Sequence, residues 1–93
     1  MNPQIIKAIN DIRPISLIYK GKIRDVEPHT YGQLENGQEA LCGWQTSGGS
    51  GQDFRLFLVN EISSVAISSD NFSGPRQGYR EGDQRFMRIF AEL

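Results

Sequence analysis

Few residues in this chain are equipped for chemistry: one histidine, His29; one cysteine, Cys42; two acids two positions apart, Asp25 and Glu27; and two arginines in apolar company, Arg24 and Arg55. One His and one Cys cannot assemble a protein-only zinc site, and a lone Cys forms no intramolecular disulfide. Nucleophilic catalysis needs a base held by an orienting group beside a protected nucleophile. His29, Cys42 and the serines supply residue types but no nucleophile-elbow motif, and Cys42 alternates with Ala40 and Trp44 as a buried structural cysteine does. Asp25 and Glu27 share a strand face, where Lys20 and Lys22 across a turn can pair with them. The expectation is a noncatalytic protein with no metal and no cofactor.

The arginines carry more information. Arg24 has the parity of Val26, and Arg55 that of Phe57 and Val59, so each projects from a face that also holds apolar side chains. A guanidinium there is costly unless it reaches an anion or the rim. Either each arginine snorkels to the edge or pairs with a neighbouring acid, or both point into one mouth and grip a phosphate, carboxylate or nucleotide in fork geometry. The stretch TSGGSGQD, Thr46 to Asp53, invites a phosphate-binding reading because successive glycine N–H groups can cradle an anion. It lacks the Lys-Ser/Thr of a P-loop and no helix pattern follows, which favours a mobile hairpin loop.

These side chains need elements to position them. Asn2 and Pro3 read as an N-cap followed by proline at the first helical position, and Ile5, Ile9 and Ile12, with Ile6, give one apolar stripe on a helix over 2–12. From Pro14 the period drops to two, and Lys20-Gly21-Lys22 offers a tight turn. The returning strand passes Pro28 and ends near Tyr31-Gly32; Asn36-Gly37 is a second turn, and Gln38 to Gln45 a third strand. Phe54 to Val59, apolar on both parities apart from Arg55, reads as a central strand covered on both faces. Ile62, Val65 and Ile67 mark a weaker last strand. Ser68 to Gly82 reads as an irregular arm, after which Asp83 caps a helix over 83–93 with Phe86, Ile89, Phe90 and Leu93 at i, i+3, i+4 and i+7, of which Phe86, Ile89 and Phe90 dock on the barrel or on a partner chain. The expected fold is mainly β with flanking helices, its strands forming a small, strongly bent sheet or barrel over 14–67.

Ninety-three residues, 38% hydrophobic, make one domain with a small core. Ten Lys plus Arg against eleven Asp plus Glu leave a formal charge of −1, which argues against strong nonspecific nucleic-acid binding by counterion release but not against a local basic patch. No apolar run approaches the ~20 residues of a membrane-spanning helix, and no signal-peptide pattern opens the chain. A cytoplasmic protein without membrane partners is expected.

Several blocks together resemble the bacterial WYL domain: Tyr19-Lys20-Gly21, the R-x-V-E-P block from Arg24 to Pro28, a strand centred on Leu41, Arg55-Leu56-Phe57, and a closing Ile62. The resemblance runs from Ile5 to about Ile67. It implies an Sm-like small β-barrel of about five bent antiparallel strands preceded by a helix, and a ligand-sensing role in transcription regulation with nucleotides or nucleic acid as ligands. The matching positions are Tyr19, Arg24, Glu27, Pro28, His29 and Arg55. Glu39-Ala40-Leu41 stands where that family has Trp-Tyr-Leu, and Asn60-Glu61-Ile62 where it has Asp-Arg-Ile, which reverses one charge at the mouth. On this basis the expected ligand-binding residues are Tyr19, Arg24, His29 and Arg55. The arginines would hold an anionic group, nucleotide-like or a short single-stranded nucleic acid, while Tyr19 and His29 donate hydrogen bonds and the glycine loop closes over the site. The alternative is an interaction protein that forms a homo-oligomer or joins a larger regulatory complex through sheet edges and the surface of Phe86, Ile89 and Phe90.

Overall fold

A computed structural model of the chain describes all 93 residues. It contains one helix, α1 (Pro3–Asn10), and six strands: β1 (Ile15–Tyr19), β2 (Lys22–Leu34), β3 (Glu39–Ser47), β4 (Asp53–Leu58), β5 (Ile62–Ile67) and β6 (Phe86–Glu92). A 3-10 turn, Val59–Glu61, joins β4 to β5. The Asn2 side chain caps α1 by accepting from the Gln4 and Ile5 N–H groups, with Pro3 behind it. Ile5, Ala8 and Ile9 are the buried stripe. Ile12, expected on that stripe, lies past the helix end with φ of 55° and is 39% exposed. The left-handed turn there redirects the chain toward Pro14 and β1.

The strands form one antiparallel sheet in the order β4-β3-β2-β1-β5, with β6 also paired to β2. β3 follows nearly the whole of β2 on one edge, whereas the other edge is divided, β1 pairing with Lys22 to Val26 and β6 with Thr30 to Leu34. The division falls at Pro28, which has no N–H to offer, and the register with β3 shifts between Pro28 and Thr30, leaving His29 as the bulged residue. β4 and β5 stand at opposite ends of the sheet order but are separated by only three residues, a reach of about 10 Å. The sheet is therefore strongly bent. It stays open and does not close into the expected barrel, because no ladder joins β4 to β5. The Leu58 N–H at the end of β4 donates instead to the Tyr19 hydroxyl, 3.2 Å away.

The inner face packs Ile15, Leu17, Val26, Tyr31, Leu41 and Phe57 against α1. The Tyr31 hydroxyl ties both layers together: it accepts from the Asn2 N–H at 2.6 Å and donates to the Glu39 carboxylate. Burial first, then that acid, push its pKa up to about 12. The outer face holds a smaller cluster of Ala40, Cys42 and Phe86, with Phe54, Leu56, Leu58 and Ile89 partly buried around it. β4 is accordingly covered on both faces, as its composition implies, but it lies at the end of the sheet and not at its centre.

The expected C-terminal helix is a strand, β6. An isolated helix of that length would be marginal in water, while the edge of β2 beyond Val26 would be left with unpaired N–H and C=O groups. β6 satisfies them. Two register shifts, between Tyr31 and Gly32 and between Gln33 and Leu34, break its period of two and place Phe86 and Ile89, three residues apart, in the same outer cluster. Asp83 caps no helix: its carboxylate accepts from the Arg85 N–H and guanidinium in a turn.

Candidate functional site

The register places both arginines on the inner face. Val26 lies opposite Gln45, Gln45 opposite Asp53, and Gly43 opposite Arg55, on the side that carries Phe57. Arg24 is half-buried, with its guanidinium 5.7 Å from the centre of the Tyr19 ring and Nη1 donating to Gln45 Oε1 at 3.1 Å. Its Nε is buried with no partner, and none of the chain's ion pairs includes it. Gln45 is fully buried, and its amide nitrogen donates to the Gly48 and Gly51 carbonyls at 2.8 and 2.7 Å. One side chain thus fastens the glycine loop to the sheet and presents its oxygen to Arg24. Gly48 has φ of 87°, and a Cβ there would meet the Ile23 carbonyl at 2.2 Å; one at Gly49 would come within 2.8 Å of Arg24 Nη1. The loop therefore lies directly over the guanidinium, and only glycine permits the approach.

Arg55 reaches the same loop from β4. Its Nη2 donates to the Ser50 hydroxyl at 2.7 Å, and its Nη1 donates to the Phe54 carbonyl and lies 3.3 Å from the Asp53 carboxylate. Both arginines meet the segment 48–51, as a shared site requires, but they differ in charge balance: Asp53 neutralises Arg55, and no acid neutralises Arg24. Tyr19 contributes its ring to Arg24 and not its hydroxyl, which donates to Glu61 at 3.0 Å and accepts from Leu58. Burial foremost, with Glu61 adding to it, raises the Tyr19 pKa. Asp25 accepts from Ser16 and Ser47 hydroxyls at 2.6 Å each, which hold its carboxyl below the usual range, and pairs with neither Lys20 nor Lys22.

His29 does not join this site. It is fully buried among outer-face aromatics, with ring centres of Phe54, Phe72 and Tyr79 at 5.3, 6.0 and 5.1 Å. Its Nδ1 lies 2.7 Å from the Glu27 carbonyl and can only donate to it, while Nε2 accepts from the Arg76 N–H at 3.1 Å. Both nitrogens are occupied, so the expected hydrogen bond to a ligand has no donor. Glu27 beside it holds the Arg76 side chain in a fork, Nε at 2.7 Å and Nη2 at 3.0 Å, with the guanidinium 5.3 Å from the centre of the Trp44 ring. Phe86 and Ile89 belong to the outer cluster, and Phe90 packs edge-on to Tyr31 at 5.2 Å. All three pack on their own chain's sheet, the first of the two expected docking places.

A concavity of about 520 Å³ lies on the outer face between the sheet residues Thr30, Cys42 and Phe54 and the segment 78–85. None of Tyr19, Arg24, His29 or Arg55 lines it. Burial pushes the Cys42 thiol up, against the opposing pull of the Arg85 guanidinium, whose Nη2 is 3.4 Å from Sγ. No cluster of three or more His, Cys, Asp or Glu side chains is placed to hold a metal, and no helix is long and apolar enough to cross a membrane.

The chain matches no family model, no curated protein and no solved structure. Gln45, Trp44 and Arg76 escaped the sequence. Gln45 has a legible signal, being a polar residue in register with Leu41 and Gly43 on the face that carries Arg55. Arg76 has none, because its partners Glu27 and His29 lie 49 and 47 residues away.

Proposed function

We propose that the domain is a noncatalytic binding module that holds an anionic group between Arg24, Arg55 and the glycine loop. One observation carries this reading: Arg24 is a half-buried guanidinium with a neutral amide as its only hydrogen-bond partner and no carboxylate. Such a charge is costly to bury alone, and an incoming phosphate or carboxylate supplies the charge-assisted hydrogen bonds it lacks. The loop adds to the site, since the Gly49 and Ser50 N–H groups donate to no protein acceptor and the Ser50 hydroxyl is already in contact with Arg55. The WYL resemblance, which includes both arginines, points to the same class: nucleotides or short single-stranded nucleic acid bound by a cytoplasmic regulatory module. Glu61, where that family carries arginine, is turned to Tyr19 and leaves Arg24 unpaired.

Titration with nucleoside phosphates and short single strands tests this reading. Saturable binding that weakens with salt is expected, lost in Arg24→Ala with the fold retained. No binding at millimolar ligand, with unchanged thermal stability, refutes it. A second reading, assembly through the sheet, rests on the outer edges of β4 and β5, which have no strand partner. Light scattering separates the two: a monomer whose ligand binding is intact leaves the edges without a role in assembly.

A further inference from the structure

The outer face is crossed by a segment fastened at very few points. Upstream, the Phe72 N–H donates to the Ile12 carbonyl at 3.1 Å, and Asn71 donates to the Asp11 and Ile12 carbonyls. Downstream, the chain enters β6. Between them, residues 73–82 form neither helix nor strand. Their hydrogen bonds to the rest of the chain are those of Arg76 to His29 and Glu27, Tyr79 to the Leu93 carbonyl, and the Gly82 N–H to Glu92. The central fastening is therefore the bulge of β2. There His29 must be neutral, because Nε2 can accept from the Arg76 N–H only through its lone pair.

We propose that residues 73–82 are a proton-released strap: a proton taken up at His29 Nε2 removes the acceptor of the Arg76 N–H, sets an imidazolium beside the Arg76 guanidinium, and lifts the strap from Trp44 and Phe54. The proton comes from solvent and no covalent bond changes. The groups facing the imidazole are Glu27 from β2, already forked by Arg76; Phe54 from β4; Phe72, Arg76 and Tyr79 from the arm; and the Leu93 N–H, which donates to the His29 carbonyl. Only Glu27 carries a charge that would stabilise a positive ring, its carboxylate is already held by Arg76, and the Arg76 guanidinium opposes the positive ring. Trp44 favours the lifted state independently, because its Nε1–H is buried without an acceptor under the Arg76 guanidinium and meets water when the strap leaves. Lifting also opens the 520 Å³ groove, whose wall begins at Gly78 and Tyr79.

Burial, ahead of the opposing bond to Glu27, lowers the His29 pKa from its ordinary 6.5. The closed strap is thus fully favoured above that value and is lost as pH falls through the folded pKa, below it. Trp44 is the chain's only tryptophan, so acrylamide quenching reads the strap directly. Between about pH 7.5 and about pH 5 the open population is expected to rise roughly tenfold or more while far-UV circular dichroism stays constant. Glu27→Gln should keep a pH-dependent transition, Arg76→Ala, which loses the fork but keeps its N–H to His29, should be more open at every pH, and His29→Gln should lose the dependence. A flat wild-type profile, the same transition in His29→Gln, or its loss in Glu27→Gln overturns the proposal. A nuclear magnetic resonance titration of the wild-type imidazole covers the case in which His29→Gln does not fold: its midpoint must coincide with that of quenching, and a mismatch also overturns it.

Discussion

Arg24 and Arg76 present the same chemical unit on opposite faces of one bent sheet. Each guanidinium stands over an aromatic ring, Tyr19 at 5.7 Å and Trp44 at 5.3 Å; Arg24 projects from β2, and Arg76 is bonded to it through Glu27 and His29. Arg76 has a carboxylate in fork geometry; Arg24 has a neutral amide and an unpartnered Nε. The first closes its valences inside the chain and acts as a fastener. The second keeps its capacity for an anion, and the difference between them is a difference in partners and not in the arginine itself.

The largest effect should come from a position that serves both faces. Gly43 lies opposite Pro28 on one side and Arg55 on the other, and a Cβ there would meet Val26 Cγ1 at 2.5 Å and the Glu27 carbonyl at 2.8 Å. Gly43→Ala is expected to cost about 3 kcal/mol, read from the urea midpoint, because backbone cannot yield as a side-chain tip can. Anion binding and the Trp44 signal should be lost together. Glu27→Ala should separate them: trypsin cleavage at Arg76 and Arg80 rises about tenfold through local opening, while anion affinity at Arg24 stays within about twofold.

The same contrast explains what could be read from sequence. Period-two alternation around Ile15, Leu17 and Val26 and the Asn36-Gly37 turn are local signals that mark β1 to β3 and set Arg24 and Arg55 each among apolar side chains; that both occupy the same face follows only from the register. β6 was hidden because its two bulges give Phe86, Ile89 and Phe90 the spacing of a helix. His29 looked available because nothing near it in sequence announces Arg76, Phe72 and Tyr79, which cover it from the arm. The arginine site was legible as far as its own strands reach; the outer latch depends on contacts across half the chain.

Ile12 tests where the strap's fixed end derives its hold. A β-branched residue at φ of 55° is strained, and its carbonyl anchors Phe72 and Asn71. Ile12→Asn keeps that carbonyl and tolerates the left-handed turn, so it should gain about 1 kcal/mol in a denaturant titration. The pH dependence of Trp44 quenching should be unchanged, since the upstream anchor does not titrate with His29.

The smallest stability effect and the sharpest distinction belong to Arg24→Met. Methionine keeps most of the stem's volume and can lie against Tyr19, so little packing is lost. The variant gives up one hydrogen bond to Gln45 and the cation–ring attraction, and it also relieves the burial of a charge that has no counter-ion. These opposing effects leave an expected change within about 0.5 kcal/mol of wild type, as when uncompensated buried charge is replaced by an apolar isostere. Anion affinity should nevertheless fall at least about tenfold, because charge-assisted bonds to the ligand have no substitute. Arg76→Met should behave oppositely, freeing the strap while leaving the anion site alone. A loss of more than about 2 kcal/mol in Arg24→Met would make Arg24 a second fastener and remove the asymmetry on which the binding reading stands.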